Sequence, residues 1–352
     1  MKKLKLVAAT LLVGLSFTAQ AKNFSLRMGG GHTTGVTYVQ VYDTFFADEV
    51  SKRVAERTDH KVRFIKAWGG SVARVDGTIE AVQSGTLDIG LVPIGFEQSR
   101  AGLLNYSAYL PFTSSDPVLQ QKVSNRMLKE VPALQESMAQ YKNHVLSATV
   151  SEAYGIASTF DWNDIESLQG KRIAMAATNA PLLIPVGGVP VTLGIGDHYQ
   201  ALQTGLADGS LFYISAMETF KLSEPAKYFN TTGLGSLSTL VAFMNTDTRA
   251  KLPEEVVEII DEVALEASMV IAERNKQRDT EFREQITQQG IKVNDLPLEE
   301  QQKWAEKLKH VPINAAKELN EKGYPATEVL KTYIQFLEEE GYTFPIDYAS
   351  ML

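Results

Sequence analysis

Apolar and polar residues alternate over Phe24-Ser25-Leu26-Arg27-Met28, and the run ends in Gly29-Gly30-Gly31-His32. That pattern predicts a strand feeding a glycine-rich loop. Over residues 38–57 the apolar spacing lengthens to that of a helix, with Phe45, Phe46, Val50 and Val54 on one side. Alternation returns over residues 61–68 (Val62, Phe64, with Ile65 off the pattern) and is broken by Gly69-Gly70. A helix over 75–84 and a strand over 87–92 complete a βαβαβ first half, the order of a doubly wound sheet.

Residues 118–140 read as a helical pair interrupted at Pro132, followed by a strand-like run over 144–151. A turn of helix over 164–170 closes on Gly170 and leads into a strand over 172–177. Helix 197–204 and strand 211–215 form a second α/β unit, and the β-rich run 237–245 is a candidate return strand. From Pro253 to about Gln289, Val256, Ile259, Ile260, Val263, Ala267 and Val270 keep helical spacing without a Gly or Pro break. Such a helix is about 50 Å long, more than either half needs, and is expected to run across both. Residues 297–340 add further helices.

One local pattern occurs twice. Tyr199, Leu202 and Leu206 lie on one helical face, Gly205 interrupts it, and Asp208-Gly209 turns into the apolar run Leu211-Phe212-Tyr213-Ile214. Upstream, Ile79-Glu80-Ala81-Val82-Gln83-Ser84-Gly85-Thr86-Leu87-Asp88-Ile89 follows the same logic. Two helix-Gly-Asp-strand units predict two similar α/β lobes that clamp a small ligand. No Pro-, Gly- or Ser-rich linker separates them, so ordered strands must connect the lobes, which favours hinge bending.

Lys2, Lys3 and Lys5, the apolar residues 6–17 and Ala19-Gln20-Ala21 make a secretory leader with a cut expected after Ala21. The apolar stretch is short of the roughly 20 residues a membrane span needs. The formal net charge of -8 becomes -11 when those three lysines are removed, which argues against nucleic acid and anionic membrane surfaces as partners. The chain has no cysteine, which excludes disulfides, thiolate nucleophiles, Cys–zinc sites and a lipid-anchoring cysteine.

Catalytic signals are missing. The five histidines, His32, His60, His144, His198 and His310, lack ligand spacing, so neither a metal nor another cofactor is expected. No G-x-S-x-G or H-E-x-x-H motif is present. Gly29-Gly30-Gly31 lacks dinucleotide spacing and reads instead as a loop that lets a ligand approach the backbone. Arg27 and Arg74, beside glycine-rich turns, could grip a carboxylate through paired charge-assisted hydrogen bonds, or simply lie on the surface. Trp68, Tyr154, Phe212 and Tyr213 could stack on a ligand or fill the core.

The patches Ala201-Leu-Gln-Thr-Gly-Leu-Ala-Asp-Gly209, Asp164-Ile-Glu-Ser-Leu-Gln-Gly-Lys-Arg-Ile173 and Val186-Gly-Gly-Val-Pro-Val191 together resemble the DctP family of periplasmic solute-binding proteins. Glu80–Ile89, Leu110-Pro-Phe112, Phe220-Lys221-Leu222, Ala226-Lys227-Tyr228, Met244-Asn245 and the long helix opened by Leu252-Pro253-Glu254 are similar to further family segments. The resemblance implies an α/β, two-lobed periplasmic binding protein, type II-like, with hinge strands and a long helix spanning both lobes. It implies capture of a small organic acid and delivery to the small and large membrane subunits of a tripartite ATP-independent periplasmic (TRAP) transporter driven by sodium. The lobes are expected at 22–150 with about 237–278, and at 151–236 with about 279–330, before a C-terminal helical tail at 331–352.

The family's signature arginine follows the L-x-G-x-K segment, and the matching position here is Ala174, with Arg172 two residues earlier. A second basic contact of the family falls in Tyr154-Gly155-Ile156-Ala157-Ser158, also without arginine, and its usual amide position falls near Phe212. The resemblance therefore implies a less charged or aromatic relative of the usual acid, or an anion held by Arg74 alone. Ligand-binding candidates are Arg74, His32, Trp68, Glu97, Tyr154, Ala174, Asn179 and Phe212, in a monomer. A binding protein of an ATP-driven importer, a sensor accessory of a membrane kinase and, least of all, an exported enzyme are the alternatives.

Overall fold

The computed structural model describes residues 21–352, so the leader expected before Ala21 lies outside the described residues. The alternating runs form two separate sheets. In the first, the order is β2 (Lys61–Ala67), β1 (Asn23–Gly29), β3 (Ile89–Pro93), β10 (Thr239–Asn245) and β4 (Asn143–Val150). β1 runs parallel to β2 and β3, and the return strand β10 is antiparallel to both of its neighbours. The second sheet has the order β11 (Lys292–Asp295), β9 (Tyr228–Thr231), β5 (Tyr154–Ser158), β8 (Gly209–Tyr213), β6 (Arg172–Met175) and β7 (Val189–Thr192). The two-lobed α/β architecture read from the sequence is the one observed.

The repeated helix-Gly-Asp-strand pattern has one physical basis in both lobes. Gly85 and Gly205 end their helices at φ +74° and +71°, the left-handed region that favours glycine. The chain then turns and the aspartate clasps the first parallel strand. In the first lobe the Asp88 carboxylate accepts the Arg27 N–H at 2.7 Å, and the Asp88 N–H donates to the Arg27 carbonyl at 2.8 Å. In the second, Asp208 makes the same two bonds with Arg172, at 2.9 and 2.7 Å. The aspartate thus satisfies a backbone donor on the neighbouring strand and fixes the register of its own.

The expected helix over 38–57 forms as Thr37–Val41 and Ala47–Arg57, joined by a π-helical turn at Tyr42–Phe46. The wide turn directs Tyr42 inward, where its hydroxyl bonds Ser147 Oγ on β4 at 2.7 Å. The long helix is Glu254–Gln288, 35 residues and so about 50 Å. Its N-terminal part buries Val256, Ile259, Ile260, Val263, Ala267 and Ile271 against the first lobe. Its far end places Phe282 and Ile286 in the core of the second. Two shorter crossings connect the sheets beside it, β4 to β5 and β9 to β10. They pair with each other through Ser151 N–H to the Ser238 carbonyl at 3.0 Å and Tyr154 N–H to the Gly235 carbonyl at 2.9 Å.

Helix Leu298–Leu308 packs on the second lobe, where Trp304 donates to the Leu182 carbonyl at 2.9 Å. The last helices, His310–Glu321 and Ala326–Glu339, return to the first. There Tyr333 packs edge-on to Tyr106, and Arg126 lies over Phe336, 3.5 Å from its ring centre. Among the described residues no helix is long and apolar enough to cross a membrane.

Candidate functional site

Ligands of open α/β sheets bind beyond the carboxyl ends of the strands, where loops diverge. Beyond β1 lies His32, beyond β3 Phe96, beyond β6 Asn179 and beyond β8 Ser215, while β5 enters its sheet at Tyr154. The crossings bring these ends together from both lobes. Tyr213, at the end of β8, lies within electrostatic reach of Tyr38 on the first lobe and of Glu152, Tyr154 and Arg278.

On the first lobe the Tyr38 hydroxyl bonds His32 Nδ1 at 2.9 Å, and the His32 ring stands edge-on to Tyr38 and to Phe96. Burial lowers the His32 pKa, which favours a neutral ring. Phe96 is 58% exposed, an aromatic face presented beside that pair. On the second lobe Phe212 packs on Tyr213 with ring centres 4.1 Å apart, and Tyr154 lies 5.5 and 5.8 Å from the two. His198, held by Ser210 Oγ at 2.7 Å, stands edge-on to Phe212. His32, Phe96, Phe212 and Tyr213 thus keep part of their rings exposed, whereas Tyr38 and Tyr154 are buried at 3% and 8% exposure.

The base of this region holds two ionisable groups. Glu152 sits in the β4–β5 crossing, 8% exposed; Ser215 donates to its Oε1 at 2.9 Å, and its Oε2 is buried without a partner. Loss of solvation pushes its pKa up to about 7, against the weaker pull of the Ser215 bond and of Arg278. Arg278, half-buried on the spanning helix, donates to Thr37 Oγ1 of the first lobe at 2.8 Å and lies over Phe282. Among the described residues no carboxylate is within 4.0 Å of its guanidinium.

The candidates named from sequence fall into two groups. His32, Tyr154, Phe212 and Asn179 belong to the facing strand ends. Arg74 points outward with its side chain 84% exposed, 3.4 Å from Asp76. Trp68 donates to Asp43 at 2.6 Å and packs on the first lobe's core. Glu97 is 3% exposed and spent within the lobe, accepting from the Ile79 N–H at 3.2 Å and pairing with Arg100 at 3.2 Å. Ala174 is fully buried under helix His198–Gln203, packed on Ala201, Ala207 and Leu193. Arg172 is exposed and bonded by its side chain to Asp208 at 2.7 and 3.0 Å, so it does not reach across to fill the role.

The glycine-rich loop has a steric basis within the first lobe. A Cβ at Gly29, Gly30 or Gly31 would meet the Ala67 carbonyl, the Leu91 carbonyl or the Val75 nitrogen at 2.3–2.5 Å. These glycines let β1 leave its sheet between neighbouring backbones. Sequence reasoning passed over Glu152, Arg278, Ser215 and Phe96, each a lone residue outside any motif; Tyr38 was visible only as a helix start. Among the described residues no cluster of metal-ligating side chains occurs.

Comparison with known proteins bears on the family and the fold. A solute-binding protein of Albidiferax ferrireducens is 23% identical over 304 residues, 85% of this chain and 88% of its own. A TRAP periplasmic solute binding protein from Desulfovibrio salexigens, solved as an open complex, superposes with a TM-score of 0.80 at 18% identity, covering 91% of this chain and 98% of its own. A marine metagenome TRAP solute binding protein specific for aromatic acid ligands, in complex with metahydroxyphenylacetate, superposes with a TM-score of 0.76 at 16% identity, covering 90% of this chain and 99% of its own. The model for DctP, bacterial extracellular solute-binding protein family 7, matches residues 38–318. The chain belongs to that family and is a solute-binding protein of the TRAP type.

Proposed function

We propose that the mature chain, beginning at Lys22, is a monomeric periplasmic receptor that captures an aromatic organic acid between its lobes and presents the closed form to the small and large subunits of a TRAP permease. The observation that carries the ligand class is an aromatic cluster at the strand ends of each lobe, His32 and Phe96 beside buried Tyr38 on one and Phe212 and Tyr213 beside buried Tyr154 on the other. Flat rings bury large apolar area and prefer edge or offset contacts with one another, which suits a ring held between two aromatic surfaces. Small, highly charged dicarboxylates gain little from such walls and lose solvation on entry. Aromatic acids are among the ligands this fold accommodates, the marine metagenome neighbour being one example.

Binding selects the closed state only through contacts made to both lobes at once. The test is thermal unfolding with phenylacetate, 3-hydroxyphenylacetate, succinate and glucuronate. A bound aromatic acid at 100 times its Kd adds about 2.7 kcal/mol to stability and raises Tm accordingly. Stabilisation by succinate or glucuronate with none by the aromatic acids would remove the proposal.

A further inference from the structure

The family's arginine position is occupied by buried Ala174, Arg172 is bonded to Asp208, and Arg74 points to solvent. An organic acid held by aromatic walls still needs a partner for its carboxylate, because an unpaired ion in a closing cleft is strongly disfavoured. We propose that Arg278, on the spanning helix, is that partner. The inference rests on the aromatic-acid reading above and assigns the residue that would hold the acid group.

Three observations converge on Arg278. It sits where the spanning helix passes from one lobe to the other, with its guanidinium on Thr37 of the first lobe and its side chain over Phe282, which packs in the second lobe's core with Phe212 and Tyr213. Only one hydrogen bond from its guanidinium is made to the described residues, to a neutral hydroxyl, and no carboxylate among them pairs with it. A guanidinium has five N–H donors in a fork that matches a carboxylate, so donors remain for a second, charged acceptor. Arg53, Arg126, Arg172 and Arg249 are each tied to an aspartate or glutamate, and Arg27 and Arg63, which like Arg278 bond only neutral groups, sit on the exposed side of the first sheet rather than between the lobes.

Glu152 is the nearby carboxyl that could take Arg278, and its Oε1 instead accepts from Ser215 at 2.9 Å. A carboxylate here would compete for the guanidinium, yet Glu152 lies close enough only to act on it through space, and burial favours its neutral form up to about pH 7. The groups around Glu152 are Ser215 and Tyr213 at the end of β8, Tyr154 on β5, and Arg278 and Asp279 on the spanning helix. Burial raises the pKa of Asp279 as well. A ligand carboxylate on Arg278 adds a further negative charge beside Glu152 and favours its protonated state. Binding of an acid therefore takes up a proton near neutrality, and affinity falls as pH rises through about 7.

The experiment compares phenylacetate with its uncharged analogue phenylacetamide by calorimetric titration. For Arg278→Gln the affinity for phenylacetate is expected to fall at least 30-fold while that for phenylacetamide stays within about threefold. Arg278→Lys restores part of the loss. Thr37→Asp supplies a second route: its carboxylate, at the position now 2.8 Å from the guanidinium, would occupy the anchor without removing it and lower phenylacetate affinity similarly. In wild type, phenylacetate affinity falls between pH 6 and pH 8, and Glu152→Gln flattens that slope. Equal losses for both probes, or undiminished phenylacetate binding in Arg278→Gln and Thr37→Asp, overturn the anchor and leave the aromatic-acid reading standing. Failure of wild type to bind phenylacetate at all overturns both.

Discussion

An arginine placed at Ala174, the position to which the family resemblance assigns one, tests how the second lobe is built. In Ala174→Arg a guanidinium enters a site that is fully buried and walled by Ala201, Ala207 and Leu193. Overpacking a dense interior costs about 1–3 kcal/mol. Burying a cation without a partner adds several more, since Asp208, at the start of the adjacent strand, is already bonded to Arg172. A total near 4 kcal/mol, roughly, is a large share of the about 5–15 kcal/mol that stabilises a domain, and lowers the folding constant by about three decades. Urea unfolding followed by circular dichroism reads the change directly, with succinate titration on the folded fraction. The expected outcome is a midpoint shifted strongly to lower urea and no gain in succinate binding. A variant as stable as wild type that binds succinate more tightly would show that position 174 opens to the ligand, and would refute this account of the lobe.

Other expectations rest on single contacts. Asp208→Ala and Asp88→Ala each remove the clasp that holds two parallel strands in register; each is expected to cost about 1–3 kcal/mol in chemical denaturation, with ligand affinity of the folded protein little changed. Phe212→Ala removes the ring that packs on Tyr154 and Tyr213, and calorimetry is expected to show a loss of about 10-fold or more for phenylacetate. The Glu152 pKa is higher folded, at about 7, than the ordinary 4.5, so the folded chain holds the extra proton between those values. Stability from that proton is fully present below pH 4.5 and lost as pH rises through about 7. Glu152→Gln is therefore expected to be the more stable protein at pH 8, by an amount on the order of 3 kcal/mol, with the difference gone near pH 4.5; equal melting temperatures at pH 8 would contradict the burial argument.

What was legible in the sequence was whatever repeats locally. The helix-Gly-Asp-strand units showed because one chain turn needs a left-handed glycine and an aspartate at fixed spacing. The spanning helix showed because its apolar period persists without a break for 35 residues. Strands β5, β7, β9 and β11 did not: four or five residues show no period, and the equally short β3, β6 and β8 were placed only because each follows a recognised helix-glycine turn. The site divided in the same way. Phe212 and Tyr154 could be named because they are aromatic residues in short apolar runs that the resemblance also marks, whereas Glu152 and Arg278 lie far apart in the chain and have meaning only where a crossing strand and a helix meet. Arg74 stood beside a glycine-rich turn, but a turn at the sheet's edge points its side chain to solvent as readily as to a cleft.

Small-angle scattering of the protein with saturating 3-hydroxyphenylacetate, and separately with succinate, tests the central claim most directly. Closure of two aromatic lobes on one ring predicts a smaller radius of gyration with the aromatic acid and an unchanged one with succinate. Contraction with succinate alone would contradict it.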